Sequence, residues 1–296
     1  MKTRLHLLAI PALLSVLTLP AFALYDLPDV RLDGTSGANT WYVSGDTNEI
    51  WPGGLGYSAG TGNPVLTWTL GSSGKYNYMV ATFDAVTLAN VGDSLVLSWQ
   101  ITPGGSDAFR NADGALRVGL FNSGGNQISG NVNGATDARF NNDTGYAALY
   151  APNAASGANS KFFRRGGGND NLWSGRTEIA GSPTLASPGT GVITGSLTLK
   201  LIEGGLLITS VINGGAGQSV TTASNLVTTF DTLSFFATSG KAGSTLTFSE
   251  LSVTYVPAVP EPSACALLAG TILLAFAVIR RNRRMSLKSV ISKRIL

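Results

Sequence analysis

Large apolar side chains alternate with small or polar ones along several short stretches of the chain. In residues 94–101, every second side chain is large and apolar. Because successive side chains of a strand point to opposite faces, this alternation predicts a strand with one row facing a core. The pattern recurs in Leu116–Leu120 and Leu197–Leu201. The first row consists of Leu95, Leu97, Trp99 and Ile101.

Six further apolar stretches are bounded by turn-forming residues and also predict strands. Glycine accounts for 37 of the 296 residues, and separators such as residues 71–74 and 213–215 are rich in Gly, Ser and Asn. Such separators favour tight turns between neighbouring strands. The predicted strands are Val65–Leu70, Tyr76–Phe83, Tyr146–Tyr150, Leu206–Ile212, Phe230–Thr238 and Leu246–Tyr255.

The apolar row changes parity within the last of these strands. Leu246 and Phe248 occupy one parity, whereas Leu251 and Val253 occupy the other. One extra residue near Ser249–Glu250 would return both sets to the same face. The sequence therefore predicts a β-bulge at this point.

About ten short strands with no helix between them predict an all-β fold, a two-sheet antiparallel sandwich spanning residues 24–256. No internal repeat of fixed period is present, which disfavours propellers and β-helices. Strands such as Ser94–Ile101, Leu116–Phe121 and Phe230–Phe236 resemble those of concanavalin A-like jelly rolls. This resemblance implies a jelly-roll-like fold of a kind that often carries glycan-binding faces.

Two irregular segments complete this expected domain. Residues 24–64 are rich in Gly and Asp and are expected to begin with an edge strand. Residues 152–188 are expected to form long loops at one rim of the sandwich.

The first 23 residues have the three parts of a secretory signal peptide. Lys2 and Arg4 precede an apolar stretch, and Ala21 and Ala23 provide the small residues that signal peptidase requires. The alternative, a buried N-terminal helix, is disfavoured by Pro11, which would break it. We therefore predict export and cleavage after Ala23.

An uncharged run of 16 residues, 264–279, precedes a basic cluster near the C-terminus. Its length approaches the ~20 residues of a transmembrane helix. Because basic residues beside a span stay cytoplasmic, residues 24–263 are expected outside the inner membrane. The cluster consists of Arg280, Arg281, Arg283 and Arg284, and a short basic tail, 285–296, follows it.

Pro260, Glu261 and Pro262 stand shortly before this apolar run. The order of Pro-Glu-Pro motif, apolar helix and arginine cluster, over residues 257–284, resembles the PEP-CTERM sorting signal of Gram-negative bacteria. The resemblance implies transient anchoring in the inner membrane, cleavage by exosortase, delivery to the cell surface or exterior, and association with exopolysaccharide or biofilm. The 12-residue tail departs from the usual pattern. A permanent single-pass anchor is the alternative.

The body of the protein is acidic, although the whole chain has a formal net charge of +3. The signal peptide contains 2 basic residues and the chain after Ile279 contains 7, whereas residues 24–263 contain 11 basic and 17 acidic residues. This balance argues against nucleic acid as a partner, because phosphate binding needs clustered Lys and Arg. Arg164–Arg165 is the basic pair of the body and is interpreted as part of a solvated loop.

Cysteine and histidine are absent from the predicted mature body. Cys265 lies in the apolar run and His6 lies in the signal peptide. Neither a disulfide nor a Ser-His-Asp triad, a Cys-His dyad or an ordinary zinc site can therefore form in the body. We expect a protein that is not an enzyme.

Two enzymatic alternatives depend on carboxylates or tyrosines. The strand pattern Glu-x-Asp-x-x-Glu of laminarinase-like enzymes is absent, and each Glu of the body is isolated in sequence. A polysaccharide-degrading enzyme would need two carboxylates in one groove. The candidates are Glu178, Glu203 and Glu250 for a hydrolase, and Tyr146, Tyr150 and Arg164 for a lyase.

Trp173 is the candidate for a glycan contact, because aromatic faces stack on sugar rings. It lies in a Gly-rich loop with Asp170 and Asn171 as polar partners. Trp68 and Trp99 have the parity of core residues instead. The alternative for Trp173, a loop anchor buried beneath its own turn, is favoured because aromatic side chains are commonly buried.

No cofactor is expected, and calcium is the alternative, because oxygen ligands occur in two clusters. Neither cluster matches the EF-hand loop, and Asp, Asn and Gly commonly form simple turns. The two clusters are Asp107, Asn111 and Asp113, and Asn141, Asn142 and Asp143.

The leading hypothesis is thus a non-catalytic surface or matrix protein, with a glycan-binding module as the alternative.

Overall fold

A computed structural model describes residues 25–26, 41–45, 55–58, 65–70, 77–105, 108–109, 115–134, 136–152, 160–238, 243–258 and 270–280. The chain divides after Pro257 into two compact units. The described part of the first unit is built from strands and a short 3₁₀ helix, Ala138–Asn142.

Sheet A is the first of two eight-stranded sheets. Its strands are β1 (Tyr25–Asp26), β3 (Leu55–Ser58), β4 (Val65–Thr69), β6 (Ser94–Gly104), β12 (Ile193–Ile202), β13 (Gly205–Ile212), β14 (Gln218–Thr222) and β16 (Thr245–Val256). Their order is β14-β13-β12-β6-β16-β4-β3, and β1 pairs with β16.

Sheet B is the second sheet. Its strands are β2 (Trp41–Gly45), β5 (Asn77–Thr87), β7 (Leu116–Asn122), β8 (Val132–Asn133), β9 (Thr144–Tyr150), β10 (Phe162–Arg165), β11 (Arg176–Glu178) and β15 (Thr229–Ala237). Their order is β11-β10-β9-β7-β15-β5-β2-β8. The short pair β2–β8 is parallel and the other described pairs are antiparallel. The predicted all-β, two-sheet antiparallel sandwich is confirmed.

The main core lies between the two sheets, where the predicted apolar rows face each other. The row in β6 is at most 2% exposed. Trp99 of this row meets Phe235 of sheet B edge-to-face, with 5.9 Å between ring centroids. Each large apolar side chain removed from water contributes about 1.5–3 kcal/mol, so this core is the main source of stability.

The predicted bulge in β16 is confirmed. The pairing of β16 with β6 shifts register between Phe248 and Glu250, so one extra residue is accommodated at Ser249. The shift keeps the apolar side chains on both sides of it in the core, because it corrects their parity. These side chains are Leu246, Phe248, Leu251 and Val253.

Sheet B is buried on both faces, a feature that was not predicted from the sequence. Its outer face is covered by the 3₁₀ helix Ala138–Asn142 and by residues 166–175, which together are named the cap. Phe140, Leu172 and Trp173 of the cap pack in a second apolar cluster with strand residues such as Phe236. The interior strands of sheet B therefore need apolar side chains at consecutive positions.

The two irregular segments contain more structure than expected. Residues 152–188, expected to form long loops at one rim, also contain β10 and β11, which lie at the edge of sheet B. In β10 the two arginines occupy both parities, and β11 has only three residues and none of them is apolar, so no apolar period is visible in the sequence. The strand expected early in residues 24–64 corresponds to β1, which pairs with β16.

In the second unit, residues 270–280 are helical and their large apolar side chains are exposed. Within the described ranges, no helix is both long enough and apolar enough to cross a membrane. The signal peptide, the sorting motif and the complete span therefore stay predictions. Outside the described residues lie Ala21, Ala23, Pro260, Glu261, Pro262, residues 264–269, Arg281, Arg283 and Arg284.

Substitution of Gly195 tests the packing of the core. Gly195 of β12 lies opposite Trp99, and a Cβ at this position would collide with the indole ring. We expect Gly195→Ala to lower the free energy of unfolding by about 1–3 kcal/mol, the usual effect of overpacking, in urea titrations.

Gly191→Ala is the matched control, because nothing lies within 4 Å of a Cβ at residue 191. Its free energy of unfolding should stay close to that of the wild type. Equal losses in the two variants would contradict the position of Trp99.

Candidate ligand-binding groove

A groove opens between the sheets at the edge formed by β10 and β11 of sheet B and β14 of sheet A. Its volume is about 290 Å³. Sheet B contributes Arg164, Thr177 and Glu178, and the end of β14 contributes Thr221 and Thr222. The groove is therefore built from both halves of the sandwich.

Strand pairing aims Arg164 into this groove. Arg164 of β10 lies opposite Tyr146 of β9 and opposite Thr177 of β11. Tyr146 belongs to the core between the sheets, and cross-strand partners share a face, so Arg164 points inward. Strand alternation then sends its neighbour Arg165 to the outer face.

Arg164 is partly buried and has no counter-charge among the residues that the structure describes. Among the described residues, no acceptor forms a hydrogen bond with its side chain, and its Nε is buried without a partner. Glu178 lies opposite Phe163, which packs on the outer face of sheet B, so its carboxylate points away from Arg164 and lies 3.5 Å from Lys161 instead. Because partial burial of an unpaired cation is unfavourable, the guanidinium is available for an anionic group.

The remaining walls offer hydroxyl groups and small apolar surfaces. Thr177, Thr221 and Ser224 are exposed, and their hydroxyls form no hydrogen bond with any residue that the structure describes. Ile179, which is buried, and Ala180 add apolar surface. Such a lining can exchange hydrogen bonds with a polar ligand and contact its apolar faces.

Hydrogen bonds across the sheets hold the rim near the groove in place. The side chain of Gln218 in β14 accepts from the Ala186 N–H at 2.5 Å and donates to the Thr184 carbonyl at 2.6 Å. The Leu185 N–H donates to the Ser160 carbonyl, just before β10, at 2.6 Å. This segment therefore joins sheet A to the β10 side of sheet B.

The three candidate catalytic carboxylates lie in different parts of the fold. Glu250 is opposite Gln100, whereas Glu203 lies in the β12–β13 turn, beyond the pair formed by Lys200 and Ser94. Along β6, Gln100 and Ser94 are six residues apart, which corresponds to about 20 Å at 3.3 Å per residue. A retaining glycosidase needs carboxylates about 5 Å apart, so Glu203 and Glu250 do not form such a pair.

The candidate lyase tyrosines are buried, and their hydroxyl groups already form hydrogen bonds within the fold. The hydroxyl of Tyr146 accepts from the Val227 N–H at 3.0 Å, and that of Tyr150 lies 2.6 Å from the hydroxyl of Ser210. Burial raises the pKa of both phenols. Because a tyrosine base must be deprotonated to act, this environment disfavours the lyase hypothesis.

Trp173 is only 3% exposed and does not present a ring face to solvent. It meets Phe121 edge-to-face at 5.5 Å and Phe236 at 5.8 Å between centroids. Its Nε1 donates to the Ser234 hydroxyl at 3.1 Å. The loop-anchor interpretation fits this packing, and the stacking platform does not.

The two polar neighbours of Trp173, Asp170 and Asn171, form hydrogen bonds that hold the cap together. Asn171 Oδ1 accepts from the Trp173 N–H at 2.9 Å, and the Asp170 carbonyl accepts from the Asp137 N–H at 2.7 Å. The three residues expected at a glycan contact therefore do not form one ligand surface. The other tryptophans in the described ranges, Trp41, Trp68 and Trp99, are buried as well.

Arg165 fastens the cap to sheet B. It is 2% exposed, so the interpretation of Arg164–Arg165 as a solvated loop was wrong. Its terminal nitrogens donate four hydrogen bonds of 2.6–2.7 Å to carbonyl oxygens of the cap. The signal in the sequence was two adjacent arginines in a chain with only 12% charged residues. The acceptors belong to Phe140, Asn169, Asn171 and Ser174.

Asp143 lies buried behind the cap. Burial is the main cause that raises its pKa to about 8, the charge of Asp231 adds to the rise, and Arg165 opposes it. Its Oδ1 has no hydrogen-bond partner. Asn141 and Asn142 are exposed, so the three residues of this predicted calcium cluster do not converge.

The calcium hypothesis gains no site from the described residues. Among them, no group of three His, Cys, Asp or Glu residues could hold a metal ion. The second predicted cluster, Asp107, Asn111 and Asp113, lies outside the described ranges.

Comparisons with known proteins concern the fold. No family model and no curated protein matches the sequence. Peanut lectin is 13% identical, with a TM-score of 0.42 over 75% of this chain and 94% of its own. The potassium-bound carbohydrate recognition domain of Emp46p is 11% identical, with a TM-score of 0.46 over 81% and 98%.

A legume lectin-like domain from Entamoeba histolytica is 15% identical, with a TM-score of 0.42 over 74% of this chain and 90% of its own. With TM-scores below 0.5, these likenesses assign neither a family nor a ligand. The resemblance to jelly rolls thus stays a prediction, and the groove is interpreted from its own residues.

The raised pKa of Asp143 predicts a pH-dependent stability. Its ordinary pKa of 3.8 rises to about 8 in the folded protein, so the folded state binds a proton that the unfolded state releases. The contribution of Asp143 to the free energy of unfolding is fully present below about pH 4. It declines as the pH rises towards 8, by at most about 1.4 kcal/mol per pH unit. Asp143→Asn should flatten this decline in urea titrations at pH 5, 6, 7 and 8.

Asp84→Asn is the matched control, because Asp84 is an exposed residue of sheet B. It should keep the slope of the wild type. A decline of the same size in Asp143→Asn would contradict the raised pKa of Asp143 as the cause of the pH dependence.

Proposed function

We propose that the β-domain is the non-catalytic, glycan-binding module of an exported surface or matrix protein, and that the groove at the edge of the sandwich binds a saccharide. The observation that carries this proposal is the presence of hydroxyl-bearing residues on both walls of one groove between the sheets, Thr177 on one wall and Thr222 and Ser224 on the other. Their hydroxyls make no hydrogen bonds with the described residues and are free to bind sugar hydroxyls.

The dimensions of the groove also support a saccharide. Small-molecule sites commonly have volumes of about 300–1,000 Å³, and the groove lies near the lower end of that range. The apolar side chains of Ile179, Ala180 and Ala223 provide surface for the C–H faces of a sugar ring. A segment of one or two sugar units fits this combination.

Binding without catalysis is favoured by the charges in the groove. Of the three candidate glutamates only Glu178 is among the lining residues, and its side chain lies on the outer face of sheet B, where Lys161 is 3.5 Å from its carboxylate. Hydrolysis of a glycosidic bond needs a second carboxyl group on the other side of the bond. Neither Glu203 nor Glu250 belongs to the lining of the groove.

Filling the groove should abolish saccharide binding. Ala223 is exposed in the wall, so Ala223→Trp should obstruct the groove while leaving the core intact. We expect this variant to lose retention on a column of the exopolysaccharide of the producing cell, and the wild type to be retained.

Ala89→Trp is the matched control, because Ala89 is exposed in the turn between β5 and β6, away from the groove residues. This variant should be retained like the wild type. Undiminished retention of Ala223→Trp would place the saccharide elsewhere, and no retention of the wild type would contradict glycan binding.

We also propose that the domain reaches the cell surface through an exosortase. Support comes from the order of Pro260–Pro262, the apolar run 264–279 and the arginine cluster. Mass spectrometry of the mature surface protein should find Leu24 at its N-terminus and no peptide from residues 264–279. Persistence of that peptide would instead indicate the permanent anchor.

A further inference from the structure

Arg164 brings a positive charge into the groove, and the binding of sugar hydroxyls does not explain why a positive charge lies there. Its side chain is partly buried, its Nε is buried without a partner, and the ion pairs found among the described residues do not include it. Removing a cation from water without a counter-charge is unfavourable. A ligand that brings the missing negative charge would relieve this cost.

The neighbouring charges do not satisfy Arg164. Lys161 lies 3.5 Å from Glu178, and its Nζ also donates to the Ser182 carbonyl at 2.9 Å. These two opposite charges compensate each other, so the guanidinium supplies the uncompensated charge of the groove. Because residues 24–263 have more acidic than basic side chains, attraction of an anion depends on this local cation.

We propose, building on the proposed glycan-binding function, that the groove selects saccharides that carry a carboxylate, such as the uronic acid units of an acidic polysaccharide. Arg164 binds the carboxylate, because the planar guanidinium can donate two parallel hydrogen bonds to it. Thr177, on the strand beside Arg164, and Thr222, on the opposite wall, bind the hydroxyls of the sugar ring.

The lining of the groove favours an acidic saccharide over other anions. A free sulfate or phosphate would fill only part of about 290 Å³ and would leave Thr222 and Ser224 unused. An acidic peptide would present amide groups where the walls offer hydroxyls. A uronic acid unit combines one carboxylate with several hydroxyls, which matches the residues present.

The test compares oligosaccharides that differ only in charge. Oligomers of galacturonate, glucuronate and mannuronate, and the methyl ester of each, would be titrated into the full-length protein in detergent by calorimetry. We expect acidic oligomers to bind at least about 10-fold more tightly than their esters, because a charge-assisted bidentate contact is lost in the ester. This comparison needs no variant and so does not depend on folding of a mutant.

Variants then assign the carboxylate contact. Arg164→Gln should abolish the preference for the acid, so that acids and esters bind with similar affinity, and Arg164→Lys should retain part of the preference because it keeps the charge without the planar fork. Lys200→Gln is the control for net charge, because Lys200 is exposed on β12 of sheet A and is not part of the groove. It should bind like the wild type.

The possible outcomes separate this inference from the proposed function. Equal binding of acids and esters, or an acid preference that persists in Arg164→Gln, would overturn the inference and leave glycan binding standing. Absence of binding to every oligomer would overturn both. Competition by sodium sulfate or by poly-glutamate as strong as that by the uronate oligomers would identify a general anion or peptide site and overturn the selection of saccharides.

Discussion

The structure depends on apolar packing between the two sheets, where most of the largest buried side chains of the sandwich meet. The body of the chain lacks cysteine for a disulfide, and among the described residues no group of metal-ligating side chains was found. Interdigitation of the rows must therefore be close. Gly195 illustrates this requirement, since the ring of Trp99 occupies the space where any other residue would place its Cβ.

Because the second face of sheet B is buried, the carbonyl groups of the cap that lie against it need hydrogen-bond donors, and Arg165 provides them. Loop carbonyls brought against an apolar surface lose water and need donors. Arg165 supplies four hydrogen bonds to such carbonyls from one strand position. Its charge is offset only in part, because burial keeps the nearby Asp143 mostly protonated at neutral pH. The cap is thus stabilised by hydrogen bonds to a buried cation more than by an ion pair.

The fold was largely predictable because its strongest determinants are local. Alternation identified β6, and the parity change in β16 identified a bulge that the register confirms. The edge of sheet B was not predictable in this way. In β10, two aromatic and two basic residues occupy both parities, so the sequence does not reveal which arginine faces the core and which faces the cap. That distinction arises only from pairing with Tyr146 and Thr177.

The candidate site was missed for a related physical reason. A tryptophan in a glycine-rich loop is a plausible glycan contact by its sequence, but a loop covering an apolar sheet face needs its own apolar anchor, and Trp173 serves as that anchor. The groove instead combines residues of β10 and β11 with the end of β14, more than 40 positions later in the chain. No spacing rule connects such residues, because their proximity depends on how the two sheets pack at their edges.

The position of the groove gives it the rigidity that selective binding requires. Gln218 and the segment around Leu185 join the two sheets nearby with short hydrogen bonds, so little ordering is needed when a ligand enters. Arg164 extends from a strand whose next residue, Arg165, is fixed by the cap. The same β10 strand thus fastens the cap on one face of sheet B and presents a cation to the groove on the other. A carboxylate in the groove would meet a guanidinium whose backbone is already held in place.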